Sequence, residues 1–414
     1  MKVGIVGYGK MGQSIFKLVT ESDHRATVLF RSQDKAKAAG DKFFKRLERS
    51  LKRSNLASDE IDREFERKRE SCHFTPDLAA MADADLVIET ITENLQLKLD
   101  LFARLGQVVK SDTPLVTNSS SVSVNKISQT LNHKDRFCGF HFFHPIKFID
   151  LIEIIRGQYT SDDVIHDLVR FAKDLGKNPV VVHDGPGSVI NGILTYYYSE
   201  AAYLLEEGYA KPSEIDLAAS RYFYVGPCES IDVIGIDLFL DALENAPAPG
   251  EISIVPIRIV HPGEEHMSNE DLGGREGFYY PPLLEKLIND ERLGKKVSRG
   301  VFIYEKGRAL DDDPSYYLNA KRSGLMKTDN GREKLVGKRL LYSLFNGALW
   351  ALQHRMGSEA DLDLGMKEIL QMSDGPLTMM RKMGFAKVKS DFDFLFENVG
   401  PRFSAPALES FFRV

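Results

Sequence analysis

KVGIVGYGKMG, Lys2 to Gly12, opens as a short apolar run, Lys2–Val6, and breaks into Gly7-Tyr8-Gly9-Lys10-Met11-Gly12. Apolar residues then return at helical spacing, at Ile15, Phe16 and Val19. The order is strand, tight turn, helix, and it gives each glycine its own task. Gly7 makes the turn, Gly9 lets a pyrophosphate approach the backbone, and Gly12 lets the helix sit close to the strand. Lys10 and Met11 fall in the first helical turn, where unpaired N–H groups and the helix dipole favour an anion. The same letters would also serve a strand–helix turn that binds nothing.

Outward from this turn, strands and helices alternate. Apolar runs follow at Ala26–Phe30, Ala84–Glu89, Pro114–Thr117, Asp135–Phe143, Ile152–Ile155 and Asn178–His183, with amphipathic helical stretches among them. That alternation predicts an open, mostly parallel, doubly wound α/β sheet over 1–185. Asp184-Gly185-Pro186-Gly187 ends it. Beyond, Val189–Glu206 begins a largely helical half.

At the end of the second strand a dinucleotide site with a free adenosine ribose carries an acid. Here the residues are Arg31-Ser32-Gln33-Asp34-Lys35. A guanidinium cannot accept ribose hydrogen bonds but can grip a phosphate with two N–H groups. Ser32 and Lys35 add a hydroxyl and a charge, so NADP is favoured over NAD. In the alternative, Arg31 is a solvated side chain and Asp34 does the acid's work. Asp41–Glu70 is polar with scattered Phe and Leu, which predicts a helical hairpin projecting from the sheet. Its first arm is basic, with Lys42, Lys45, Arg46, Arg49, Lys52 and Arg53. Those cations either bind an anionic substrate carrier or form a solvated face.

Composition excludes several classes. With 414 residues, two or three domains are expected; 43% hydrophobic and 28% charged residues fit a globular chain. A net charge of -6 without a long basic run gives no footprint for nucleic acid. Cys72, Cys138 and Cys228 are too few and too scattered for a disulfide framework or a zinc set. No metal site is expected. There is no apolar run of membrane-spanning length, and a strand beginning at Lys2 leaves no room for a signal peptide. The expected place is the reducing cytoplasm.

The chemistry concentrates in GFHFFHPIKFIDLIE, Gly139–Glu153. His141 lies in an apolar run, and a strand returning beside the first would bring Glu153 to it. A carboxylate on the far imidazole nitrogen fixes the tautomer and raises basicity, as proton abstraction from an alcohol requires. His144 competes as base, although strand phase would turn it to the opposite face. The alternative for His141 is a core histidine bonded to backbone. Asn118-Ser119-Ser120-Ser121 follows a strand end, where small polar side chains can reach a carbonyl or a nicotinamide amide. Asn191, polar in an apolar helix, can bond a substrate carbonyl or cap nearby backbone.

The helical half contains a repeat. KPSEIDLAASRYFYVGPCESIDVIG from Lys211 and GSEADLDLGMKEILQMSDGPLTMMRKMG from Gly357 both carry an Asp-Leu pair, a Gly-Pro and a closing glycine, and each follows an apolar helix. Two related helical domains are expected, 186–332 including an irregular linker and 333–414, packed on one another. Between them, Tyr279–Leu293 reads as a short helix after Pro-Pro. The rest of 246–332 reads as ordered surface loop, with Lys306–Asn330 its most mobile part.

These motifs, in this order, resemble the L-3-hydroxyacyl-CoA dehydrogenase family over nearly the whole chain. They are closest to the dehydrogenase portion of multifunctional fatty-acid oxidation proteins, which carry the C-terminal helical domain twice. The resemblance implies a Rossmann-type N-terminal domain and interconversion of an L-3-hydroxyacyl-CoA and a 3-oxoacyl-CoA by hydride transfer with NAD or NADP. It implies His141 as base, Glu153 as its orienting acid, and Ser120 and Asn191 at the substrate oxygen. Glu93, Lys98 and Asn118 fall to the nicotinamide end of the cofactor, and the basic hairpin to coenzyme A. Departures are His144 for the family's Asn in HFFNP, Gly192 for an arginine, Arg31 for the ribose acid, SRGVFIY for GKGFY, and EILQMSDGP in the second repeat. Monomer or homodimer fits. The alternatives are a dehydrogenase of an unusual hydroxyacyl thioester or free hydroxy acid, and a non-catalytic nucleotide-binding or scaffold protein.

Overall fold

A computed structural model describes residues 1–185, 187–244, 282–311 and 330–413. The chain divides into two compact units, Met1–Asp184 and Gly185–Val414.

The first unit is an eight-stranded sheet between helices. Its elements are β1 (Lys2–Val6), α1 (Lys10–Glu21), β2 (Arg25–Leu29), α2 (Gln33–Leu51), α3 (Ser58–Ser71), β3 (Cys72–Thr75), β4 (Leu86–Glu89), α4 (Leu95–Val108), β5 (Leu115–Thr117), α5 (Val124–Ser128), β6 (Phe137–Phe142), β7 (Leu151–Arg156), α6 (Asp162–Asp174) and β8 (Asn178–His183). The strand order is β3-β2-β1-β4-β5-β6-β7-β8. All neighbours are parallel except β6 and β7, which run antiparallel. Ile5, Val28, Ile88, Val116, Phe140 and Ile154 form one buried core through the sheet. The central strands β4, β5 and β6 are buried throughout and largely apolar, as strands covered on both faces must be.

Three expectations change. The hairpin, α2 and α3, forms the crossover that leads into β3, an edge strand the sequence reading did not contain. Cys72-His73-Phe74-Thr75 is too short and mixed to stand out, but it pairs in register with Ala26–Leu29. Phe43, Phe44 and Phe65 seat the hairpin against Phe74 and Phe16. Second, β6 stops at Phe142, so His144 lies in the loop beyond it and strand phase does not decide its direction. The third lies between the helical repeats.

The second unit begins with α7 (Val189–Glu206), α8 (Pro212–Ala219), α9 (Pro227–Ile234) and α10 (Ile236–Glu244). After α11 (Pro282–Asn289) and a hairpin of β9 (Ile303–Glu305) and β10 (Arg308–Leu310) come α12 (Asn330–Gln353), α13 (Glu359–Leu370), α14 (Pro376–Met383), α15 (Phe385–Asn398) and α16 (Leu408–Arg413). The repeat has a structural counterpart. Asp216 accepts the N–H groups of Cys228 and Glu229 at the start of α9, at 2.8 and 3.0 Å. Asp363 does the same for Leu377 and Thr378 at the start of α14, at 2.7 and 2.8 Å. A Cβ on Gly226 or Gly375 would collide with the respective aspartate, which accounts for both glycines, and each following proline takes the first position of its helix.

The long helices of the two sets, α7 and α12, pack together. α7 is apolar nearly all round and buried over most of its length, as such a helix must be. Across this contact Arg339 bonds Glu200 and Glu207, at 2.5 and 2.8 Å, and Arg402 bonds the same two carboxylates, both at 2.8 Å. Between the sets, the expected helix ends at Asn289 rather than Leu293, and the ordered loop that follows is exposed over 295–299 but anchored on both sides of that turn. Arg292 is fully buried, and Asp232 accepts the N–H groups of Val301 and Phe302 and the Tyr304 hydroxyl, pinning the segment to α9. Tyr279–Pro281 and the segments expected as surface or mobile loop at 246–278 and 312–329 lie outside the described residues.

Candidate active site

At the carboxyl end of β1 the three glycines sit differently. Gly7 has φ +101°, and a Cβ there would lie 2.8 Å from the Thr90 carbonyl oxygen. A Cβ on Gly12 would lie 2.2 Å from the Gly7 carbonyl, so helix and strand meet only without a side chain. Around Gly9 a Cβ would meet nothing within 4 Å. That opening lies at the start of α1, whose first turn carries no acid and no side-chain cap. Lys10 is exposed there and Met11 half-buried. The arrangement fits a pyrophosphate on the helix N-terminus.

A cleft of about 970 Å³ runs from this turn past the end of β2, lined among others by Gly7, Gly9, Arg31, Lys35 and Thr90. Arg104 of α4, which the sequence reading passed over, lines it too. Arg31 and Lys35 are exposed. Ser32 caps α2, its oxygen accepting the Lys35 N–H at 3.4 Å, which leaves its hydroxyl hydrogen free.

Further along the same sheet edge, Glu89 ends β4 fully buried. It accepts both Lys98 contacts, at 2.8 and 2.9 Å, and the Thr117 hydroxyl at 2.6 Å. Lys98 is itself buried and lies 3.5 Å from Glu93. Glu93 accepts the Ser119 hydroxyl at 2.7 Å and the Ser120 N–H at 2.9 Å. Asn118 accepts the Phe142 N–H at 2.9 Å, tying the serine turn to the strand that carries His141.

The antiparallel register of β6 and β7 sets His141 directly opposite Glu153. His141 Nδ1 lies 3.0 Å from Glu153 Oε2, with Glu153 fully buried and His141 5% exposed. An acceptor-only carboxylate against Nδ1 places the proton there and leaves Nε2 as the basic nitrogen. His144 is exposed in the following loop; partial desolvation, then the Lys10 ammonium, hold its imidazole below the usual histidine range. Lys177, also unforeseen, donates from its buried ammonium to the Ile146 and Ile149 carbonyls and to Asp150, at 2.6, 3.0 and 2.7 Å, and so braces the loop joining β6 to β7. Asp184 accepts from the Ser123 hydroxyl and from Val124 and Asn125 N–H, fixing the far end of the serine turn.

Thus His141, Glu153, Asn118, Ser120, Glu93 and Lys98 form one constellation at one sheet edge. Asn191 belongs to the second unit. It stands in the first turn of α7, half-buried, with its N–H on the Ser188 hydroxyl at 3.2 Å. Lys42, Lys45, Arg46, Arg49, Lys52 and Arg53 are exposed along and just past α2. Lys52 pairs with Glu48 at 2.5 Å. Lys42 and Arg46 line a hollow of about 270 Å³ beside Tyr8 and Phe43. Lys177 and Asp184 were missed because their partners are distant in sequence; Glu89 had a local signal, the carboxylate ending Leu-Val-Ile-Glu, but nothing in the letters shows that Lys98 turns back to it.

Among the described residues no His/Cys/Asp/Glu cluster could hold a metal ion, and no helix is long and apolar enough to cross a membrane.

Residues 2–185 match the family model of the 3-hydroxyacyl-CoA dehydrogenase NAD-binding domain, and 187–304 that of its C-terminal domain. A probable 3-hydroxybutyryl-CoA dehydrogenase of Deinococcus radiodurans is 32% identical over 309 residues, 73% of this chain and 100% of that protein. The 3-hydroxyadipyl-CoA dehydrogenase of Escherichia coli K12 is 34% identical over 442 aligned positions, 93% of this chain and 91% of that one. In fold, the crystal structure of 3-hydroxybutyryl-CoA dehydrogenase from Escherichia coli K12 superposes with a TM-score of 0.77 at 24% identity. It covers 99% of this chain and 98% of its own.

Proposed function

Since the chain belongs to the 3-hydroxyacyl-CoA dehydrogenase family, as an NAD(P)-dependent oxidoreductase of 3-hydroxyacyl-CoA and 3-oxoacyl-CoA, we propose how its own residues carry that reaction. The buried His141–Glu153 pair, on the same sheet edge as the glycine turn, carries the reading. The nicotinamide supplies the hydride acceptor or donor. His141 Nε2 takes the hydroxyl proton in oxidation and returns it in reduction. Glu153 holds the ring and stabilises its protonated form. The Ser120 hydroxyl donates to the 3-oxygen as negative charge develops on it, and Asn191 supplies an amide to the thioester. Glu93, Lys98 and Asn118 border the nicotinamide and its ribose.

The cofactor is NADP in preference to NAD. Arg31 grips the 2′-phosphate, with Ser32 and Lys35 beside it; the support is a basic cleft end with a spare hydroxyl. Exposed Lys42, Lys45 and Arg49, with Lys52 where Glu48 releases it, meet the coenzyme A phosphates. The three described cysteines are free and buried, which suits a reducing cytoplasm.

The test is oxidation of NADPH and NADH by the purified protein with acetoacetyl-CoA, alongside His141→Ala. The reading expects faster turnover with NADPH, and a loss of about 10²–10⁴-fold in the variant. Equal turnover by His141→Ala overturns the assignment of the base; NADH as the better donor overturns that of Arg31.

A further inference from the structure

The Ser120 hydroxyl makes no hydrogen bond among the described residues, while the atoms around it are fully engaged. Its own N–H is on Glu93, and the preceding Ser119 gives its hydroxyl to Glu93 and accepts the Val122 N–H at 2.9 Å. The Ser119 N–H goes to Thr117 Oγ1 at 3.2 Å. Glu93 is therefore the peg of the turn, yet it is 41% exposed and sits on the loop before α4. An exposed glutamate has many rotamers, and something must hold this one.

What holds it is charge from below. Lys98 has 1% of its side chain exposed and stands 3.5 Å from the Glu93 carboxylate. Lys98 in turn is oriented by Glu89, which takes both its contacts and is itself fixed by the Thr117 hydroxyl and by the Ile91 N–H at 2.5 Å. The buried Glu89 balances the buried ammonium, and the part-exposed Glu93 is a second carboxylate drawn to it; without Glu89 the ammonium is left with Glu93 alone.

We infer that Glu89 is a positioning residue for Ser120: it anchors Lys98, Lys98 holds Glu93, and Glu93 fixes the Ser119–Ser120 turn with the Ser120 hydroxyl facing the reacting oxygen. This rests on the role proposed for Ser120. Glu89→Gln keeps the shape but turns an amide N–H₂ toward Lys98 or Thr117, both donors. Lys98 then draws on Glu93 alone, and Glu93 leaves the serines.

The experiment pairs steady-state kinetics with amide hydrogen exchange of the segment Asn118–Val122. The proteins are the wild type, Glu89→Gln, Ser120→Ala, the double variant, and Glu89→Gln/Lys98→Met, in which the buried charge is again balanced. Glu89→Gln is expected to lower kcat, at saturating cofactor, about 10–100-fold, with KM for the thioester changed less than about threefold. It should slow Ser120→Ala no further, because the two act through one contact. Exchange at Ser119, Ser120 and Val122 is expected to rise about tenfold or more. Glu89→Gln/Lys98→Met, if it folds where Glu89→Gln does not, should retain the kcat loss and the faster exchange. Multiplicative losses, unchanged exchange, or full activity in the charge-balanced variant overturn the inference. A wild type that does not turn over acetoacetyl-CoA defeats the functional reading instead, and the exchange result still decides the role of Glu89.

Discussion

His141 and Glu153 are separated by a loop in the chain but stand side by side in the sheet, and that proximity is a property of strand register. Glu153→Gln preserves the ladder and removes the charge. Its amide can present N–H₂ to Nδ1 and force the tautomer that occupies Nε2, so kcat is expected to fall at least about 10²-fold with KM little changed, by initial rates. At the cofactor end, Arg31→Asp replaces a phosphate partner with a ribose acceptor. The ratio of kcat/KM for NADPH to that for NADH should fall by about 10²-fold or more. Much at this scale was legible in the sequence. Gly7, Gly9 and Gly12 form a local pattern, and the histidine and glutamate each interrupt one of two adjacent apolar runs. Lys177 was not legible, because nothing near a lysine reveals that its acceptors lie back at Ile146, Ile149 and Asp150.

Elements are joined by polar contacts of unequal strength. The clamp between α7 and α12 is buried, and removing one partner strands the others. Arg339→Met leaves Glu200 and Glu207 sharing Arg402 alone, and the expected cost is about 3–5 kcal/mol in denaturant unfolding of the helical unit. In the same clamp burial pushes the Glu207 carboxyl up, but Arg339 and Arg402 outweigh it and hold it below the usual range. Its neighbour Glu206 lacks such partners. Burial, opposed by one backbone N–H at Leu283 and aided by Glu207, pushes it up to about 7. A carboxyl whose folded value is raised keeps its full stability below the unfolded value, near 4.5, and loses it as pH rises through 7. Glu206→Gln should therefore leave Tm unchanged at pH 4 and raise it at pH 8. The rise expected in a thermal melt is about 1–3 °C, since the group is part-exposed. Helix α7 could be placed from its long pattern over Val189–Glu206. Strand β3 could not, because an edge strand of four residues leaves too short a pattern.

At the scale of the whole chain, the C-terminal family model ends at residue 304, and α12 to α16 lie beyond it. The second helical set was legible because its Asp-Leu and Gly-Pro pairs recur with the same work to do, each aspartate closing the N-terminus of a following helix. The docking of 290–305 on Asp232 was not, because it joins segments about seventy residues apart through backbone donors that carry no letter in the sequence. A chain ending at Asp311 would uncover α7, with its apolar face and two carboxylates. The expected outcome is self-association or loss of cooperative unfolding, read by size-exclusion chromatography and a thermal melt.

In the clamp, both acids belong to the first set and both guanidiniums to the second. Two first sets would bring acid against acid on this face, and two second sets base against base. Neither half can be lost, swapped or doubled without leaving charge stranded in the interior. The two sets are therefore complementary rather than interchangeable, and a reversal of charge on one side calls for the opposite reversal on the other.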